Sequence, residues 1–149
     1  MIRRWLAVPF IISSLWACAR QKVVSPPPAP APQAAVDANF ELVAVEVVES
    51  PEEDAVALVK VYVDGELAGQ TQAGPKSSER RWQGALKAGN RLMRFENWSV
   101  GPSGEPELMA EDFQPRERFV RVEDGARTKV SLKFFDKGRQ NTLQVSREP

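Results

Sequence analysis

A single thiol, Cys18, is the most pointed chemical group in this 149-residue sequence. It follows an apolar run, and it is the only cysteine. A lone thiol in an exported chain needs a fate, and acylation is one. The other groups able to do chemistry fall into three sets. Carboxylates cluster at Glu52-Glu53-Asp54 and at Glu111-Asp112, and two carboxylates facing one cleft do general acid–base work or hold calcium. Arginines recur at Arg116, Arg118 and Arg121, and at Arg80, Arg81, Arg91 and Arg94. On an extended strand Arg116 and Arg118 share a face, a basic stripe suited to anionic headgroups or an acidic partner. Aromatic rings at Tyr62, Trp82, Phe95 and Trp98 are the material of a glycan-stacking platform.

Each set also has a plainer reading. Neither acidic cluster has the alternating oxygen spacing of a calcium loop, so solvated loop charge accounts for both. Glu117 and Glu123 are interspersed with the arginines and favour mutual salt pairing. A small β domain needs large apolar side chains in its core, and tryptophans serve there first. The chain has no histidine. That excludes the commonest general base, the Ser-His-Asp triad, the Cys-His pair and every His-containing zinc site. We expect no enzyme, no cofactor and no metal.

The elements that must position these groups begin at the N-terminus. Arg3 and Arg4 supply a positive start without any acid, and Leu6 to Ile12 is apolar apart from Pro9. Ser13, Ser14 and then Leu15-Trp16-Ala17-Cys18 close the run, the layout of a secretory signal. It is far shorter than the roughly 18 residues of a spanning helix, and no later stretch comes closer. Leu15-x-Ala17-Cys18 resembles the bacterial lipobox, which implies diacylation of Cys18 and cleavage before it. Ala19 after the cysteine, rather than an aspartate, resembles outer-membrane sorting in Gram-negative bacteria. Ala17-Cys18-Ala19 is also an ordinary A-x-A cleavage site, and cutting after Ala19 would discard the thiol.

Loss of residues 1–17 removes Arg3 and Arg4 and leaves 18 basic against 20 acidic side chains, a net charge of −2. That is no electrostatic footprint for nucleic acid. Residues 18–36 read as a tether in which Pro26, Pro27, Pro28, Pro30 and Pro32 alternate with small residues. Proline fixes φ and favours extended polyproline II, so the tether reaches up to roughly 50 Å.

From Asp37 the pattern changes to period two. Phe40 to Glu49 is Val-rich, and Val59, Val61 and Val63 alternate with Lys60 and Tyr62. Asp64-Gly65 between extended runs signals a type I′ hairpin returning through Glu66 to Thr71. Further strands are expected over Arg80–Leu86 with Trp82 inward, Arg91–Trp98, Leu108–Phe113, Phe119–Val122, Thr128–Phe135 and Thr142–Ser146. The loops between them carry Gly74-Pro75, Gly89, Gly101-Pro102 and Gly125. No stretch sustains a 3.6-residue apolar period.

Val61-x-Val63-Asp64-Gly65-x-x-x-Gly69-x-Thr71, followed by Leu86-x-x-Gly89-x-x-x-x-Arg94-Phe95, resembles the PEGA-type repeat of bacterial envelope proteins. The likeness spans about 40 residues and implies a non-enzymatic Ig-like or transthyretin-like module. The expected architecture is therefore all-β: one antiparallel β-sandwich over residues 37–149, after a signal (1–17) and a disordered tether (18–36). The expected role is a lipid-anchored envelope protein offering this sandwich to envelope partners, facing the periplasm or the cell surface. The alternative is a glycan- or peptidoglycan-binding module using Trp82, Trp98 and Tyr62, with Arg116 and Arg118 as further binding candidates.

Overall fold

The computed structural model describes residues 38–149; the expected signal, Cys18 and the tether lie outside the described residues. Ten strands form here. They are β1 (Phe40–Glu46), β2 (Val56–Val63), β3 (Glu66–Gln70), β4 (Gly74–Pro75), β5 (Arg80–Gly84), β6 (Gly89–Val100), β7 (Pro106–Leu108), β8 (Arg118–Val122), β9 (Arg127–Phe135) and β10 (Gln140–Glu148). They build a four-stranded sheet in the order β10-β9-β1-β5 and a six-stranded sheet centred on β2 and β6. β3 and β4 flank β2, while β7 and β8 flank β6.

Period-two alternation decides which residues lie between the sheets. Phe40, Leu42 and Ala44 of β1 meet Val59 and Val61 of β2, Met93 and Phe95 of β6, Val120 and Val122 of β8, and Val130, Leu132 and Phe134 of β9. All are almost completely buried. A side chain of this size contributes about 1.5–3 kcal/mol when buried. Phe95→Ala would cost about 3–5 kcal/mol because the cavity it leaves cannot collapse between two sheets. The fold is thus the all-β sandwich that the sequence predicts.

The β2–β3 hairpin forms as its Asp-Gly pair dictates. Asp64 and Gly65 have φ of 52° and 89°, the left-handed geometry that a type I′ turn requires at both central positions. The Asp64 carboxylate accepts from the Leu92 N–H at 3.0 Å and pairs with Arg91 Nη1 at 3.0 Å, tying the turn to β6. One end of the interior is closed by Trp82. Its ring lies 5.9 Å from that of Phe40 and covers Gly69 of β3 so closely that a Cβ there would collide with the indole.

Two local expectations are corrected. The sheets are not wholly antiparallel, because β1 and β9 run parallel, Phe40 opposite Thr128 through Glu46 opposite Phe134. Strand pattern alone does not encode a partner's direction, and these two strands are far enough apart in the chain for the long connection a parallel pair requires. The stretch from Leu108 to Phe113 is not one extended piece. β7 stops at Leu108, and Glu111–Phe113 makes a single 3-10 turn. Gln114 follows, and its side chain does the work of a strand. Its Oε1 accepts from the Asn97 N–H at 2.8 Å, and its Nε2 donates to the carbonyls of Asn97 (3.1 Å) and Met109 (2.7 Å). A primary amide has the donor and acceptor geometry of a peptide unit, so Gln114 bridges the gap along β6 between β7 and β8.

Candidate functional site

The outer face of the six-stranded sheet carries a ladder of rings and charges. Cross-strand partners share a face, and here Tyr62 stands opposite Arg94, Lys60 opposite Glu96, and Leu58 opposite Trp98. The Arg94 guanidinium lies 4.2 Å from the centroid of Tyr62, and Lys60 Nζ lies 3.4 Å from that of Trp98. Trp98 Nε1 donates to Glu96 Oε2 at 3.1 Å. Arg94 pairs with Glu96 Oε1 at 3.2 Å and with Glu117 at 3.7 Å. Partial burial first, and then the Glu96 carboxylate beside it, push the Tyr62 phenol above the ordinary tyrosine range. Arg94 thus has two counter-charges, and each of the two rings has a cation on it.

Apolar side chains flank this ladder on the same face. Leu67 sits opposite Tyr62, Leu108 opposite Trp98, and Phe119 opposite Leu92. They are 56 %, 53 % and 72 % exposed, and Val56 of β2 adds a fourth at 39 %. Only Val47 and Val145 are comparably exposed large apolar side chains among the described residues. The face thus combines a largely paired polar stripe with exposed apolar side chains on either side of it.

The predicted binding residues are distributed over this geometry unevenly. Tyr62 and Trp98 lie on this outer face. Trp82 does not, since it packs against the core at the opposite edge of the other sheet. No surface therefore presents Trp82 and Trp98 together, and the cations on Tyr62 and Trp98 occupy the ring faces that a sugar would stack on. Arg116 and Arg118 do come together, lining a groove of about 550 Å³ with Arg139, Asn141, Glu111 and Asp112. Salt pairing of the neighbouring acids goes elsewhere. Glu117 takes Arg94, while Glu123 takes Arg121 at 3.7 Å and Arg147 at 3.2 Å. Cys18 lies outside the described residues.

The first acidic cluster is consumed by the fold. Asp54 accepts from the Ser77 hydroxyl at 2.6 Å and the Ser77 N–H at 2.8 Å, which holds its carboxyl below the usual range. Glu53 pairs with Lys137 at 2.9 Å. No group of three or more potential metal ligands forms among the described residues.

Sequence reasoning missed Phe119, Leu67 and Leu108 as surface residues, and Arg139 and Asn141 as partners of Arg116 and Arg118. The signal for Phe119 was present, because the inward Val120 and Val122 force their odd-numbered neighbour outward. Arg139 carries no such signal; it reaches the groove because Asp136, Lys137 and Gly138 all adopt positive φ and reverse the chain between β9 and β10. A scan against protein-family models, a search of curated proteins and a search of solved structures each find no match to this chain.

Proposed function

We propose that this chain is a lipid-anchored cell-envelope protein that displays one β-sandwich to protein partners and has no enzymatic chemistry of its own. The observation that carries the reading is the outer face of the six-stranded sheet. Four of the six strongly exposed large apolar side chains share that face, around a stripe in which Arg94 pairs with Glu96 and Glu117 and Lys60 sits on the Trp98 ring. Such a face loses little on desolvation and gains apolar burial when a partner covers it. The anchor is supported by the residues Leu15-Trp16-Ala17-Cys18 at the end of a signal-like run. No helix of the described residues is long and apolar enough to cross a membrane. Tethering at Cys18 would raise the local concentration of the face toward other membrane-bound proteins, so modest contact area suffices.

The test is site-specific photo-crosslinking of the full-length chain in its own membranes. The probe replaces Leu67, Leu108 or Phe119 on the docking face, or Lys133 on the outer face of the other sheet. Discrete protein adducts from the first three positions, lost with Cys18→Ala, are the expected result. Adducts of equal yield from Lys133, or adducts indifferent to Cys18→Ala, would remove the docking face or the anchor from the account. A glycan platform is the competing reading, and it requires Trp82 and Trp98 on one surface, which is not how they lie.

A further inference from the structure

Three arginines from distant parts of the chain converge on one groove and form no ion pair among the described residues. Arg116 precedes β8, Arg118 opens it, and Arg139 follows the turn after β9. Among the described residues Arg81, Arg91, Arg94, Arg121 and Arg147 all form ion pairs, whereas these three form none. The groove also contains two carboxylates, Glu111 and Asp112, and neither pairs with the arginines across from it. Asn141 lines the same space, and its side-chain amide makes no hydrogen bond within the described residues. Opposite charges thus line one concavity without pairing, and a ligand of suitable shape can bridge them.

From this geometry we infer a binding site for a phosphate-bearing polyol. Guanidinium groups are planar forks that match the terminal oxygens of a phosphate, and three forks suit its several oxygens where a carboxylate would use one. Glu111, Asp112 and Asn141 offer acceptors for hydroxyl groups on the remainder of the ligand. The same carboxylates repel a second anionic group, so a polyhydroxyl body is preferred over a dianionic one. The groove's volume of about 550 Å³ falls in the range of small-molecule sites. Glycerol phosphate, free or as a lipid headgroup, has this chemistry. The site does not depend on the anchor at Cys18 or on the docking face.

The experiment is calorimetric titration of the full chain in a neutral maltoside detergent with inorganic phosphate and with glycerol 3-phosphate. Co-sedimentation with phosphatidylcholine vesicles, with and without phosphatidylglycerol, runs in parallel. Arg116→Gln, Arg118→Gln and Arg139→Gln are each expected to weaken binding roughly tenfold, because each removes charge-assisted hydrogen bonds. Arg127→Gln, another exposed arginine outside the groove, should leave it unchanged. Glu111→Gln should tighten inorganic phosphate and reduce the preference for glycerol 3-phosphate. Binding of the soluble probes with this pattern supports a free phosphoester. Binding only to the phosphatidylglycerol vesicles, lost in the variant carrying all three arginine substitutions, supports a lipid headgroup. No arginine-dependent binding of either kind, or an equal loss with Arg127→Gln, overturns the site.

Discussion

Tyr62 is the only tyrosine in the chain, so its titration can be read without ambiguity by ultraviolet absorbance. Desolvation and the Glu96 carboxylate both favour the neutral phenol, and Arg94 opposes them only in part. The folded protein should therefore ionise Tyr62 above the ordinary tyrosine range. Glu96→Gln should bring that transition down, and an unchanged transition would mean that Glu96 is not the partner. The sign for stability follows: this contribution is fully present below the ordinary phenol pKa and is lost as pH rises through the raised one. Arg80 presents a different problem at the same scale. It is 2 % exposed and has no hydrogen-bond partner for Nε, Nη1 or Nη2 among the described residues. Burial pulls its guanidinium below the usual arginine range, while the charges of Glu46 and then Asp54 hold it up. Arg80→Met, which keeps the volume and removes the charge, should be neutral or stabilising. Removing the larger of the two negative influences with Glu46→Leu should cost about 3 kcal/mol by leaving the buried cation with Asp54 alone. Thermal unfolding of the two variants separates these outcomes, and a destabilised Arg80→Met would show that the charge itself is needed.

Elements here are held in register by a few side chains that no strand pattern announces. Gln114 satisfies the N–H and C=O of Asn97 and the carbonyl of Met109. Gln114→Leu strands those groups and should lower stability by about 2 kcal/mol, since a buried backbone group left unpaired carries its full desolvation cost. Gly69→Ala should cost about 2 kcal/mol as well, because the added Cβ collides with the Trp82 indole that closes the edge between β3 and β5. Denaturant midpoints would check both, and a silent Gly69→Ala would mean the indole moves freely. Much at this scale was legible in advance. Val59, Val61 and Val63 alternate, Asp64-Gly65 turns, and Met93 and Phe95 were separated correctly from Leu92 and Trp98. These are local properties of a pleated chain with period two. What escaped is what depends on a distant partner. The parallel pairing of β1 with β9 is one case, and the two-residue bridge of Gly74-Pro75 to β2 is another. The arginine groove is a third, half visible in Arg116 and Arg118 and half hidden because Arg139 and Asn141 come from another sheet's edge. The expected salt pairing of Glu117 and Glu123 with the arginines does form, with Arg94 and Arg121, and Glu123 adds Arg147, a cross-strand partner that spacing alone could not name.

At the scale of the whole molecule, the six-stranded sheet uses one surface for the core, and on our proposal it uses the opposite one for recognition. Its inner face supplies Val59, Val61, Met93, Phe95, Val120 and Val122 to the core. Its outer face supplies Leu67, Leu108 and Phe119, which touch little and are exposed. Phe119→Ser and Leu67→Ser should therefore change unfolding free energy by no more than about 0.5 kcal/mol, while reducing capture of partners by the full-length chain in membranes. A large loss of stability would show instead that these side chains belong to the core. The proposed anchor would serve the same face, since a surface that binds modestly becomes effective when held near its partners. That places the weight of the account on Cys18. Mass measurement of the intact chain, purified with detergent from membranes, addresses it directly. The account predicts a processed chain that begins at Cys18 and carries the added mass of acyl groups. A processed chain that begins at Arg20, with no acyl mass and in the soluble fraction, would contradict it.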